Sequence, residues 1–354
     1  MARLKRTDCS GPGIRRRRRG KGFEYLDGDG RRVTEPSVLE RIQELAIPPA
    51  WEDVWVCPYP MGHIQATGTD AAGRKQYRYH DKWRERRDAE KFEEMIDFAR
   101  ALPRLRERVA KDLRKRGMPR DKVLAAAMRL LDLGFFRIGS ENYAEENDTY
   151  GIATMRKRHV KVSGETVTFD YEAKGGQRRV QTIGDPDLAK IAREMKKRSG
   201  GGEELLAYKV GGRWVDVKSA DINAYLKEAA GGDFSAKDFR TWSGTVLAAV
   251  ALAVAGMATG SKTSRKRAKT RAVKEVARYL GNTPAVCRAS YIDPRVFDRF
   301  DGGLTIGGAL PELGEDTAPW PVVQRAVEEA VLDLIADNRE SDLVEEGVEL
   351  AAVA

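Results

Sequence analysis

The hydrophobic pattern of the chain changes period near Asp81, and no single layer of structure can satisfy both periods. Residues 23–80 hold short apolar runs, FEYLDGDGRRV, WEDVWVCPYP and HIQATGTDAAGRKQYRYH, broken by Gly, Asp and Pro. The segments DGDG at 27–30 and GTDAAG at 68–73 are turn signals, and IPPAW at 47–51 is a proline-rich corner. Such a pattern predicts a small antiparallel β domain. From residue 83 to 113 the chain is rich in Arg, Glu, Ala and Leu, with Phe92, Met95, Ile96 and Ala99 at helical spacing. A second helix is expected at about 120–133. Val160 and Val162, then Val167, Phe169 and Tyr171, alternate around the turn at 163–165, which predicts a β meander over 160–183. Residues 199–202 read as a flexible connector, and the chain is otherwise mostly helical to 290. A chain of 354 residues suits two domains. The expected fold class is α+β: a small antiparallel β N-terminal domain and a larger, mainly α-helical domain with a short β meander. Its parts are a basic disordered arm (1–22), the β domain (23–90), the helical domain (91–310) and an acidic tail, helical in part (311–354).

Charge is divided unevenly along this plan. Residues 311–354 carry 12 acidic and 2 basic side chains, a net of −10, so the 310 residues before them carry +19 of a total +9. A body this basic points to a polyanion, most commonly nucleic acid. The arm holds nine basic residues, including the run Arg15 to Arg19; it either tracks phosphates or is a solvated tail. A second cluster, SKTSRKRAKTRAVKEVAR at 261–278, has eight basic residues against one Glu. It leads into an amphipathic stretch through Val276 and Leu280, which suits phosphate docking or a solvated helix face. The acidic tail is expected to shield the basic body, so that its deletion past 310 would tighten nonspecific DNA binding. Cys9, Cys57 and Cys287 are far apart and form no CxxC pair, which argues against a zinc site or a disulfide framework. The simple expectation is a reducing, intracellular compartment. No stretch reaches the ~18 apolar residues that cross a bilayer; the apolar run at 246–258 reads as a buried helix. The arginine run has no apolar segment after it, unlike a secretory signal.

Four positions could carry chemistry, and each has a plainer reading on its own. Tyr291 lies near the end of a short element that Gly281 and Thr283-Pro284 introduce and Pro294 ends; a packing role is the simpler one. Arg240, in SAKDFRTWSG, follows a capping-box pattern, Ser235 with Asp238, at the start of a long apolar helix. Helix N-termini attract phosphate, though arginines on surface helices are common. Arg137, in LLDLGFFRIGSENY, needs an anionic partner if buried: Asp132, Glu141 or a ligand phosphate. Lys174 beside Gly175-Gly176 marks a hairpin tip, where it is either an ordinary surface lysine or one delivered to DNA.

In combination, Arg137, Lys174, Arg240, Asn282 and Tyr291, in this order, resemble the type IB DNA topoisomerases of the poxvirus and bacterial branch. The pieces that carry the resemblance are FFRIGSENY, FDYEAKGG, KDFRTW and GNTPAVCRASY, with GRKQYRYHDKW near the N-terminus. The resemblance runs from about residue 40 to 300. It implies a tyrosine recombinase/topoisomerase IB-like catalytic domain and a β domain that clamps DNA. It implies double-stranded DNA as partner, no cofactor, no metal, no membrane, and a monomer closed around the duplex in the cytoplasm, associated with the nucleoid. The implied roles are Tyr291 as nucleophile, forming a 3′-phosphotyrosyl link, and Arg137 and Arg240 as clamps on the non-bridging oxygens. Lys174 is the implied general acid toward the 5′ oxygen, and Asn282 a hydrogen-bond donor to phosphate. Lys75, Gln76, Tyr77, Tyr79 and Tyr143 match DNA-contacting positions. Poxvirus members carry histidine where this chain has Asn282, which resembles the bacterial subgroup.

Two other functions share parts of this pattern. A tyrosine recombinase uses a similar Arg, Lys, Arg and Tyr set but usually carries histidine three residues before the second arginine, where this chain has Lys237. A DNA-packaging protein shares the basic body but forms no covalent adduct.

Overall fold

The computed structural model describes residues 3–141, 144–145, 148–256, 261–311 and 320–346. It divides into two units, Met1–Phe92 and Glu93–Ala354.

The first unit is a five-stranded antiparallel sheet in the order β2-β1-β3-β4-β5: β1 (Ile14–Arg19), β2 (Gly22–Leu26), β3 (Glu52–Val56), β4 (Ile64–Thr69) and β5 (Lys75–Tyr79). Helix α1 (Pro36–Glu44) supplies Ile42 to a core with Ile14, Val54, Val56 and Ala66. The arginine run is therefore not a disordered arm. Arg15 to Arg19 lie in β1, paired with β2 along its length and with β3 at Ile14 and Arg15. Pairing satisfies the backbone, and alternation separates the charges onto two faces. Arg16 donates to the carbonyls of Pro48 and Trp51 and lies 4.2 Å from the Phe23 ring centre. Arg17 pairs with Glu24 at 2.7 Å.

The second unit begins within α2 (Asp81–Leu113), which continues into α3 (Arg120–Gly134). The meander follows as β6 (Val160–Ser163), β7 (Thr166–Ala173) and β8 (Gln177–Gly184), in spatial order. Next come α4 (Pro186–Lys197), the hairpin β9 (Ala207–Val210) and β10 (Arg213–Asp216), and α5 (Ser219–Ala230). The central helix is α6 (Ala236–Gly256), followed by α7 (Lys262–Leu280), α8 (Pro284–Ser290) and α9 (Pro294–Asp301). Among the described residues, α6 is long and apolar enough by length and composition to cross a bilayer, beyond the run expected from sequence. Here 56% of its apolar window is buried inside the protein. Its Phe239, Trp242, Thr245, Ala249 and Leu252 form the middle of the unit.

The segment expected as an acidic tail contributes to that core. After the two-residue strand β11 (Leu304–Thr305) comes α10 (Trp320–Ala336), and the strand β12 (Glu345–Glu346) pairs back onto β11. Helix α10 packs on α6 and α9 and buries Val327, Ala330, Val331, Leu334 and Ile335. Its Glu328 accepts from Arg106 at 2.6 Å and from Trp242 Nε1 at 3.2 Å, while Asp132 holds the other side of Arg106. Burial alone would pull the Arg106 pKa down, but the hydrogen bonds and charges of Glu328 and Asp132 together outweigh it and push the pKa up. Removing part of a buried ion pair leaves charge uncompensated. Glu328→Ala is therefore expected to destabilise the protein by about 3 kcal/mol, measured by urea unfolding; a loss near zero would mean that Asp132 alone holds Arg106. Deleting the chain past 310 removes core surface as well as charge, so it cannot serve as the test of shielding.

Candidate active site

Arg137 lies in a loop whose backbone is tightly held. Helix α3 ends with Phe135 in the left-handed region, φ 53°. Phe136 then packs edge-on to Phe169 at 4.9 Å. The carbonyls of Arg137 and Ile138 accept from Ile152 N at 2.9 Å and Ala153 N at 2.7 Å. This pairing needs glycine on both sides: Gly139 has φ +80°, and a Cβ on Gly151 would lie 2.4 Å from Gly139 N. Neither carboxylate considered from sequence holds the Arg137 side chain. Asp132 accepts from Arg106, and Glu141 accepts from the Ser219 N–H and hydroxyl at 2.7 and 2.9 Å. Arg137 instead donates to the Gly281 carbonyl at 2.9 Å and to Asn282 Oδ1.

Arg240 stands in the second turn of α6. The expected cap is present in part: Ser235 N and Oγ both donate to Asp238 Oδ2, at 2.7 and 3.1 Å. The arginine is 4% exposed. Its Nη1 donates to the Phe135 carbonyl at 2.7 Å and its Nη2 to the Leu280 carbonyl at 2.9 Å, with Cζ 5.2 Å from the centre of the Tyr291 ring. Burial pulls its pKa down to about 10; neighbouring Arg137 acts in the same direction, and Tyr291 opposes both. Two like charges are thus held together by carbonyls at the C-terminus of α7. Those groups have no partner within the helix and form the negative end of its dipole. Arg240 Nε and Asn282 Nδ2 are buried donors without a hydrogen-bond partner among the described residues. Donors in that state favour an anion.

Tyr291 caps the C-terminus of α8, its N–H bonded to the Cys287 carbonyl at 2.9 Å. Thr283 caps the other end, accepting from Val286 N. The backbone at Tyr291 is pressed onto α6, where a Cβ on Gly244 would lie 2.5 Å from the Tyr291 carbonyl oxygen. Two residues on, Asp293 N donates to Thr245 Oγ1 at 3.1 Å. One helix therefore carries Arg240 and also sets the position of Tyr291. Gly244 was not singled out from sequence, since a glycine inside an apolar helix signals close packing without naming what approaches.

Lys174 is at the tip of the β7–β8 hairpin, followed by Gly175 and Gly176 at φ +86° and +69°. The same hairpin brings Tyr171 and Arg179, cross-strand partners, into the cluster that Arg137, Arg240 and Tyr150 also form. Arg179 is a residue the sequence left unmarked. The signal was its register opposite Tyr171, a position on the inward parity of the strand.

In the first unit, Lys75, Tyr77 and Tyr79 share one exposed face of β5, with the two tyrosine rings stacked at 6.0 Å. Gln76 lies on the opposite face and donates to Asp70 Oδ2 at 2.8 Å. Bonds from the Arg74 side chain and backbone hold the Asp70 carboxylate down at about 2. Tyr143 lies outside the described residues.

Comparison with known proteins gives the family. Residues 80–300 match the family described as eukaryotic DNA topoisomerase I, catalytic core, and residues 22–70 match the bacterial DNA topoisomerase IB N-terminal domain. The chain is 33% identical over 291 residues to DNA topoisomerase 1B of Acanthamoeba polyphaga mimivirus, covering 79% of this chain and 85% of that protein. It is 24% identical over 139 residues to DNA topoisomerase 1B of vaccinia virus (Copenhagen), 38% of this chain and 44% of the viral one. It is 25% identical over 158 residues to DNA topoisomerase 1 of Daucus carota, 44% of this chain and 18% of the plant protein. With a catalytic-core match across the segment that gathers Arg137, Arg240, Asn282 and Tyr291, and a relative aligned along most of both lengths, the chain belongs to the type IB DNA topoisomerases.

Proposed function

We propose that the protein relaxes positive and negative supercoils by cutting one strand of duplex DNA at a time through Tyr291, without ATP or metal. The observation that carries this mechanism is the pair of buried, unpartnered donors, Arg240 Nε and Asn282 Nδ2, beside the tyrosine. The Tyr291 oxygen attacks the scissile phosphorus and loses its proton to solvent. A bond forms from that oxygen to the 3′ phosphate, and the bond to the 5′ oxygen breaks. Arg137 and Arg240 hold the non-bridging oxygens as charge builds on them, and they are already in place before DNA arrives. Lys174 donates the proton that the leaving 5′ oxygen needs. Because Asn282 Oδ1 is taken by Arg137, its amide nitrogen is the end offered to phosphate. That donation is neutral, so Asn282 is neither acid nor base.

The phosphotyrosyl bond is close in energy to the bond it replaces, so torsion in the DNA drives rotation and resealing needs no nucleotide. The protein acts as a monomer closed around the duplex in the cytoplasm, on the nucleoid. The test is relaxation of positively and negatively supercoiled plasmid in EDTA with no nucleotide, together with the polarity of the covalent adduct on end-labelled strands. An adduct on the 5′ phosphate, or a need for ATP, would overturn the mechanism.

The exposed face of β5 is the proposed contact of the first unit with DNA. Lys75→Ala is expected to weaken binding and to reduce the slope of log affinity against log salt by about 1, as for one lost phosphate contact. Gln76→Ala, which loses a bond to Asp70, should leave the slope unchanged. Anisotropy titrations at several salt concentrations would reveal an equal change in both variants, which would move the contact off this face.

A further inference from the structure

Three guanidinium groups, not two, converge on the last turn of α7, and each takes a different carbonyl in sequence. Arg179 Nη2 donates to Tyr279 at 2.5 Å, Arg240 Nη2 to Leu280 at 2.9 Å and Arg137 Nη2 to Gly281 at 2.9 Å. Arg179 comes from a different element than the other two. It sits on β8, five residues after Lys174, and its ladder partner Tyr171 is three residues before Lys174. Its guanidinium also fills the space beside Gly281, where a Cβ would lie 2.1 Å from Nη1. Gly281 has φ +60°, so glycine both allows the turn and leaves room for the arginine. Charge does not favour this place: burial lowers the Arg179 pKa, and Arg137 adds to the effect. The carbonyl and the negative helix end are what hold it.

We propose that Arg179 is a positioning residue for strand cleavage: it bolts the β7–β8 hairpin to the C-terminus of α7 and so fixes Lys174 relative to Tyr291, Arg137 and Asn282. The hairpin tip is a tight turn, closed by the Gly176 N–H on the Ala173 carbonyl at 3.1 Å with both glycines in the left-handed region, so the lysine's backbone goes wherever the hairpin as a whole is held. Arg179 anchors the strand that leads away from that tip to the helix end where Arg137 and Arg240 are already held. A lysine at 179 could reach a single carbonyl as a point charge, but lacks the planar fork that also packs beside Gly281.

The proposal rests on Lys174 being the general acid, and the experiment separates the two. Single-turnover cleavage is followed on a duplex whose preferred cleavage position has first been mapped, once with the ordinary phosphodiester and once with sulfur replacing the 5′ bridging oxygen. A thiolate leaves without a proton, so loss of the acid, or of its placement, no longer matters on the second substrate. Lys174→Ala should lose about 10²- to 10⁴-fold on the phosphodiester and recover with sulfur. Arg179→Ala should lose about 10²-fold, as a misplacement near 1 Å does, and recover likewise. The double variant should be no slower than Lys174→Ala alone, and Arg179→Lys should fall between wild type and Arg179→Ala. If Arg179→Ala does not fold, as judged by circular dichroism, Arg179→Lys is read on the same two substrates. Recovery of Lys174→Ala but not of the Arg179 variant overturns the positioning role alone, as does full activity of that variant on the phosphodiester. Failure of sulfur to restore Lys174→Ala removes the role of Lys174, and this one with it.

Discussion

Tyr291→Phe should bind duplex DNA as the wild type does and leave supercoiled plasmid unrelaxed. Phenylalanine keeps the ring over Arg240, 5.2 Å from its Cζ, and keeps the α8 cap. It also keeps the approach of the Tyr291 carbonyl to Gly244. Only the hydroxyl is lost, and with it the nucleophile. Removing a residue that acts as part of a covalent catalytic unit costs on the order of 10⁵-fold or more. The measurements are relaxation of plasmid in EDTA and recovery of protein–DNA adduct after denaturation. Relaxation by the variant would place the nucleophile on another residue. Tight binding by both proteins with no relaxation by either would overturn the proposed relaxation mechanism.

Arg240→Ala carries the next largest effect. One oxyanion-type donor is worth about 10²- to 10³-fold. Arg240 offers the site its charge and a buried unpaired Nε, so cleavage should fall by about 10³-fold. Stability should change far less, because two contributions oppose each other. Removing a buried cation relieves its desolvation, while the Phe135 and Leu280 carbonyls lose their donor at about 1–3 kcal/mol each. Arg240→Lys separates charge from shape, since a lysine cannot span both carbonyls and still present a nitrogen to phosphate. It should recover little cleavage. Recovery to within tenfold of wild type would show that positive charge alone suffices there.

Periodic parts of this molecule were legible in its sequence, and parts held by distant partners were not. The helix expected at 83–113 is α2, the meander expected at 160–183 is β6 to β8, and the turn beside Lys174 is where the glycines predict it. Arg15 to Arg19 misled because five like charges read as solvated, whereas β3, which completes the pairing, lies more than thirty residues on. The tail expected to be helical in part is so at α10, but its acids hid its burial, although Val327, Ala330, Val331, Leu334 and Ile335 stand at helical spacing. At the site, motifs could name Arg137, Arg240, Asn282 and Tyr291, but spacing could not bring them together. Arg137 and Asn282 are 145 residues apart, and the groups that hold the arginines are carbonyls, which every sequence has and none advertises.

The bond between Arg106 and Glu328 spans 222 residues. During synthesis Arg106, Lys174, Arg240 and Tyr291 all leave the ribosome before Glu328 does. Until α10 arrives, the outer side of α6, including the Trp242 indole nitrogen, has no cover, and α6 is the helix that sets both Arg240 and Tyr291. The nascent chain therefore holds every proposed reacting group before the helix that covers α6 has been made. A product truncated before α10 would leave the Trp242 indole nitrogen without Glu328 and Arg106 with Asp132 as its remaining carboxylate, so the cover of the central helix is supplied by the part of the chain farthest in sequence from Arg106 that touches it.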